Sequence, residues 1–173
     1  MDLKKISLDI WRTSYAADLA DALNSRKVQD NLRDGIPYPY QPQDAKNYID
    51  KILTAGEDSV YAFAVMLSGK VIGSISVTRK DNVHRYTGEL GYFIAEKWWG
   101  RGIATEAVKK MCEFIFSKTN IMRIYAEPYA TNEASCRVLA KAGFTLEGVL
   151  RNNAFKNGKL IDTRIYSLVR TNV

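Results

Sequence analysis

Apolar positions along the chain recur at two spacings, every second residue and every third or fourth, and the switches between them divide the sequence into short elements. Residues 7–11, Ser-Leu-Asp-Ile-Trp, read as a short strand, and residues 16–23 repeat Ala and Leu at helical spacing. Between residues 32 and 42, three prolines and Gly35 exclude regular structure and leave a loop rich in tyrosine. Ala45, Tyr48, Ile49 and Ile52 then predict a helix over residues 43–54. Strands follow at 60–66, 70–77 and 87–94, with Ser68-Gly69 supplying a tight turn between the first two.

Past residue 102, Ala104, Ala107, Val108, Met111, Cys112 and Ile115 make one apolar stripe on a helix that ends near Ser117. Residues 121–128 return as a strand, and a strand-helix-strand unit of this kind favours parallel pairing. A further helix over 133–141 is bracketed by Asn132, a good N-cap, and Gly143, a good C-cap. Strands at 144–151 and 160–169, around the turn residues Lys156-Asn157-Gly158, finish the chain. The order is mixed α+β, with antiparallel strands before and after one crossover.

Composition narrows this picture modestly. A chain of 173 residues with 46% hydrophobic content suits one well-buried core, so residues 1–173 are read as a single domain. There is no internal repeat and no linker rich in Gly, Ser or Pro. Met1-Asp2-Leu3-Lys4-Lys5 is not followed by an unbroken apolar stretch, and no run of about 18 apolar residues exists. Neither secretion nor a membrane association is therefore expected. Cys112 and Cys136 fall on helices without zinc spacing and are read as reduced structural thiols, which points to a cytoplasmic setting and no metal. The net charge of +6 suits an anionic ligand, though charge alone leaves nucleic acid open.

The chemistry concentrates between residues 91 and 107. An apolar strand runs into Lys97-Trp98-Trp99-Gly100-Arg101-Gly102, and that turn opens directly onto a helix. Two glycines allow a tight turn that brings N–H groups against an anion, and the helix start adds unpaired donors and a positive dipole end. No Gly-x-x-x-x-Gly-Lys P-loop is present, and the third glycine of a dinucleotide fingerprint is replaced by Thr105. What remains, Lys97-x-x-Gly100-x-Gly102, resembles the Arg/Gln-x-x-Gly-x-Gly/Ala acetyl-CoA signature of the GNAT N-acetyltransferase superfamily, with lysine in the first place.

Later segments make the resemblance more specific. Arg123 to Pro128, Asn132-Glu133-Ala134-Ser135 and Lys141-Ala142-Gly143-Phe144 resemble the branch that acetylates ribosomal-protein N-termini, as do Ile36-Pro37-Tyr38-Pro39-Tyr40 and the ending from Asp162 to Arg170. The resemblance implies a central, mostly antiparallel twisted sheet of six to seven strands with one parallel pair, flanked by about four helices. It also implies an acetyl-CoA-dependent N-acetyltransferase in which the amine attacks directly in a ternary complex.

Residue by residue, the resemblance assigns the carbonyl and pantetheine arm to the backbone of Phe93, Ile94 and Ala95. The diphosphate falls to Gly100, Arg101, Gly102, Ile103, Ala104 and Thr105, with Lys97 adding charge. Asn132, Ser135 and Lys141 complete the donor site. Many relatives carry a tyrosine seven positions after the asparagine to protonate the leaving thiolate; here that position is Leu139, which leaves Ser135 beside the sulfur. Glu89 resembles the family's general base, with Glu127 as runner-up, and Arg33, Tyr38 and Tyr40 are expected to line the acceptor pocket. The tyrosines could equally anchor the core. The acceptor is a primary amine on a protein or peptide N-terminus, a ribosomal protein among them, or on a small molecule. Nucleic acid is not expected as a partner, and a homodimer is left open. The competing reading is a non-catalytic module that binds CoA or associates with RNA or the ribosome.

Overall fold

In the computed structural model, residues 6–56 and 59–170 are described; Met1 to Lys5, read above, lie outside them. The elements run β1 (Ile6–Ile10), α1 (Ala16–Leu23), α2 (Arg26–Gln29), α3 (Pro42–Leu53), β2 (Val60–Leu67), β3 (Lys70–Arg79), β4 (Thr87–Ile94), α4 (Ile103–Lys118), β5 (Arg123–Ala126), α5 (Glu133–Lys141), β6 (Thr145–Lys156) and β7 (Lys159–Val169). The seven strands described form one sheet in the order β1-β2-β3-β4-β5-β7-β6, and β4–β5 is its parallel pair. The expected sheet is therefore present, with five helices rather than about four. The additional one, α2, is only four residues long and too short to show a periodic stripe.

Local chemistry sets these boundaries. Ser68 and Gly69 both take positive φ, as a two-residue hairpin turn requires. Pro42 opens α3 instead of ending the preceding loop, because a first-turn residue needs no N–H donor, and the Gln41 N–H is met by Asp44 Oδ2 at 2.9 Å. β6 runs five residues past its expected end at Arg151. Its pairing with β7 is interrupted between Leu146 and Gly148 and again between Leu150 and Ala154, where Asn152 has φ +52°. Those bulges hide the strand's period in the sequence.

Each face of the sheet has its own apolar layer. On one, Ile75, Val77, Leu90 and Ile94 pack with Ile103, Val108, Met111 and Ile115 of α4 and Leu139 of α5. On the other, Trp11, Ala64 and Met66 pack with Leu19 of α1 and Ala45 and Ile49 of α3. β4 contributes to both, with Leu90, Tyr92 and Ile94 toward α4 and α5 and Phe93 toward α1 and α3. Among the described residues no helix is long and apolar enough to cross a membrane.

Candidate active site

The site grows from a place where the sheet opens. β4 pairs with β5 from Thr87↔Arg123 to Glu89↔Tyr125; beyond Glu89 no described strand pairs with this side of β4. Its other side remains paired with β3 as far as Gly73↔Ile94, and the Ala95 N–H continues the ladder to Ile72 O at 2.8 Å. Antiparallel alternation then turns the backbone groups of Phe93 toward β3, where a Cβ on Gly73 would collide with the Phe93 carbonyl. The Ala95 carbonyl is likewise engaged, accepting the Trp98 N–H at 2.9 Å. Of the three residues expected to offer backbone groups to a ligand, Ile94 turns its N–H to the opening while its carbonyl accepts from the Trp99 indole, and Phe93 and Ala95 are occupied within the protein. Tyr92, not anticipated, faces the opening with its own N–H and C=O.

At the end of β4 the chain turns through Gly100 (φ +73°) and Gly102 (φ +78°), both in the left-handed region that glycine adopts without strain. The Trp99 indole N–H donates to Ile94 O at 2.7 Å and ties this turn to the strand. The first bond inside α4 runs from Glu106 N–H to Gly102 O, so the N–H groups of Ile103, Ala104 and Thr105 have no acceptor within the helix. Arg101 lies over the Trp98 ring, 5.0 Å from its centroid. Lys97 is engaged on the α1 side of the turn, in an ion pair with Asp21 at 2.7 Å. Lys141 is exposed in the last turn of α5.

The start of α5 lies against the same opening. Asn132 Oδ1 accepts the Ser135 N–H at 3.1 Å, the cap expected from the sequence. Ser135 Oγ lies 2.8 Å from the Tyr92 hydroxyl. Burial pushes the Tyr92 phenol up to about 12, against a smaller opposing effect of the Ser135 hydrogen bond. Strand alternation could have set Tyr92 opposite Glu89, but nothing in the sequence tells which helix residue it meets. Leu139 is fully buried in the core. Cys112 and Cys136 are free, buried thiols on α4 and α5.

On the α1 and α3 face, Glu89 accepts hydrogen bonds from Arg33, from Lys80 Nζ at 2.6 Å and from the Tyr125 hydroxyl at 3.0 Å. Burial raises its pKa, but Lys80, Arg33 and Tyr125 together outweigh that and hold the carboxyl below its ordinary value. Glu127 is held differently. Its Oε1 accepts from Asn153 Nδ2 at 2.6 Å and Thr163 Oγ1 at 2.9 Å, both neutral, and no described cation pairs with it.

The proline-containing loop is fastened above these carboxylates. Leu32 O accepts from the Tyr129 hydroxyl at 3.1 Å and from Lys156 Nζ at 2.8 Å, and Lys156 also pairs with Asp34 at 2.7 Å. Arg33 thereby meets Glu89, joining two residues singled out from distant parts of the sequence. Tyr38 is exposed beneath the Arg26 guanidinium, 3.8 Å from the ring centroid. Tyr40 is only 7% exposed and packs in the second core beside Trp11 and Ile49, so it is a core anchor in place of the expected pocket-lining residue.

The acetyltransferase (GNAT) domain family matches residues 6–145. An uncharacterised N-acetyltransferase of Bacillus subtilis (strain 168), YoaA, is 40% identical over 101 residues, which is 58% of this chain and 56% of that protein. The matched regions span 56%, 72% and 64% of the first three curated relatives. Among solved structures, the microcin C7 self-immunity acetyltransferase MccE, in complex with acetyl-CoA and AMP, is 25% identical with a TM-score of 0.83, over 96% of this chain and 93% of that one. The ribosomal-protein-S5-alanine acetyltransferase of Vibrio fischeri has the same fold, with a TM-score of 0.87 at 22% identity over 99% of this chain and 97% of that one. The match over residues 6–145, on a sheet opened beside a glycine turn, means that the chain belongs to the GNAT acetyltransferase domain family.

Proposed function

We propose that the protein is an acetyl-CoA-dependent N-acetyltransferase that moves the acetyl group to a primary amine by direct attack in a ternary complex. The observation that carries this reading is the free edge of β4, which ends at the uncapped N–H groups of α4 and has Ser135 on one side of the sheet and Glu127 on the other. An extended pantetheine arm pairs with the Tyr92 and Ile94 backbone, and the diphosphate rests on the amides of residues 100–105 beside Arg101. Acetyl-CoA bound to MccE, a structure of the same fold, supports the donor.

Glu127 is the better general base. A carboxylate that already accepts from an arginine, a lysine and a tyrosine gives up little to a proton, and that is the situation of Glu89. Glu127 accepts only from the neutral side chains of Asn153 and Thr163, and no described cation holds it. Glu89 instead anchors Arg33 and, through it, the rim of the acceptor cleft, with Tyr38 at the outer edge. Ser135 donates a hydrogen bond to the departing sulfur.

The same pairing argues for the α-amine of a peptide or protein N-terminus as acceptor. A polyamine carries a second ammonium and needs a further carboxylate to receive it, whereas Glu89 and Asp34 are already paired with cations and Glu127 is taken up by the reacting amine. An α-amine also titrates near pH 8, within reach of one modest base. Buried, unpaired thiols fit a reducing cytoplasmic setting. The test is a panel of peptides with free N-termini, spermidine and an aminoglycoside, scored by thiol release from acetyl-CoA and by product mass. Acetylation of a peptide N-terminus supports the reading. Acetyl-CoA binding without thiol release from any amine would leave a CoA-binding module.

A further inference from the structure

A serine hydroxyl near the start of a helix has one proton and several acceptors within reach, and by default it turns that proton to the backbone one turn back. Ser135 has a different neighbour. The Tyr92 hydroxyl lies 2.8 Å from Ser135 Oγ and 3.4 Å from the Ser135 carbonyl oxygen. The first is an ordinary O–H···O separation across which either hydroxyl can donate, and the second lies beyond the usual range. Apart from the cap at its N–H, neither residue's hydroxyl has another hydrogen-bond partner among the described residues.

The direction of the shorter bond sets that of the second proton. Once Oγ accepts from Tyr92, the serine O–H cannot point back at the phenol, and it is left to point away from it. The phenol itself keeps its proton at any working pH, because burial has raised its pKa to about 12. Tyr92 is also one of the two residues whose backbone groups face the open edge of β4. One residue thus touches both the path of an extended ligand and the serine beside it.

We propose that Tyr92 is the positioning residue for Ser135: by donating to Ser135 Oγ it turns the serine proton into the β4–β5 opening, onto the sulfur of the departing thiolate. This rests on the acetyl-CoA reading of the site given above. In the reaction the C–N bond forms, the C–S bond breaks, and sulfur leaves with the electron pair. The proton that neutralises it is the one the amine loses, carried through Glu127 and solvent, so neither hydroxyl ionises.

The test needs no acceptor and uses CoA itself. The thiol of CoA bound to excess protein is titrated by the ultraviolet absorbance of its thiolate in wild type, Tyr92→Phe, Ser135→Ala and the double variant, with CoA affinity measured in parallel to show that each variant is folded and loaded. A donor aimed at sulfur lowers the bound thiol's pKa by about one unit relative to free CoA. Ser135→Ala returns it to the free value, Tyr92→Phe removes at least half of the shift, and the double variant matches Ser135→Ala. A Tyr92→Phe protein that titrates like wild type while Ser135→Ala loses the shift overturns this inference alone. No shift in wild type overturns the assignment of Ser135 to the sulfur. A side chain that served only packing would leave the thiol titration untouched.

Discussion

Arg33 and Glu89, 56 positions apart, form an ion pair that fastens the proline-containing loop to the strand bordering the sheet's opening. Lys80 and Tyr125 share the same carboxylate, so it is fully engaged before any substrate arrives. On the proposed reading its part in the chemistry is structural, and the kinetics should say so. Glu89→Gln is expected to raise the KM for the acceptor roughly tenfold while kcat falls less than about threefold, the split expected for lost positioning. A loss of about a hundredfold in kcat would return Glu89 to the role of base.

Glu127 carries the opposite expectation. Removing a general base costs about 10²–10⁴ in rate. Glu127→Gln keeps the shape and hydrogen-bonding capacity toward Asn153 and Thr163, so kcat should fall at least a hundredfold with acetyl-CoA affinity unchanged by calorimetry. With the wild type and a peptide acceptor, kcat/KM should rise with pH through about 8 as the α-amine loses its proton, and level off above it.

The glycine turn allows a sharper substitution. Gly102 precedes α4 at φ +78°, where a side chain costs about 1 kcal/mol in backbone strain. Gly102→Ala should weaken acetyl-CoA binding severalfold, and Gly102→Asp, which adds negative charge against a diphosphate, should abolish it. Equal affinity for the two variants would mean that no anion is bound there.

Acid stability depends on a different carboxylate. Arg123 grips both oxygens of Glu147 and Ser167 Oγ adds a hydrogen bond at 2.6 Å, holding the carboxyl at about 2 against an ordinary 4.5, with burial opposing weakly. The folded state therefore favours the ionised form. Its contribution is complete above the unfolded value and is lost as the pH falls from about 4.5 toward 2. Over that window the wild-type melting temperature should drop more steeply than that of Glu147→Gln, and parallel curves would contradict the assignment.

What the sequence disclosed is local. The glycine turn, the Asn132 cap and the apolar stripe of α4 each depend on residues within one or two helical turns, where spacing and side-chain chemistry act directly. That the end of β4 offers its backbone to a ligand came from resemblance, and its details did not follow. Which of Tyr92, Phe93, Ile94 and Ala95 shows its backbone to the opening depends on register with β3, which no spacing in β4 reveals. Tyr92 and Lys80 went unnoticed for the same reason: each is an ordinary strand or strand-end residue until a partner 43 or 9 positions away comes within reach. Tyr40 and Lys97 were assigned to ligands by resemblance, whereas the fold turns one into the core and the other toward Asp21.

The central claim is that acetyl-CoA lies along the free edge of β4 with its diphosphate on α4. Residue-resolved amide hydrogen exchange, with and without saturating acetyl-CoA, tests it most directly. Exchange should slow at least roughly tenfold at Tyr92, Ile94, Ile103, Ala104 and Thr105, while the amides at the tip of the β6–β7 hairpin are unchanged. Binding that leaves those five amides exchanging as in the free protein would contradict the account.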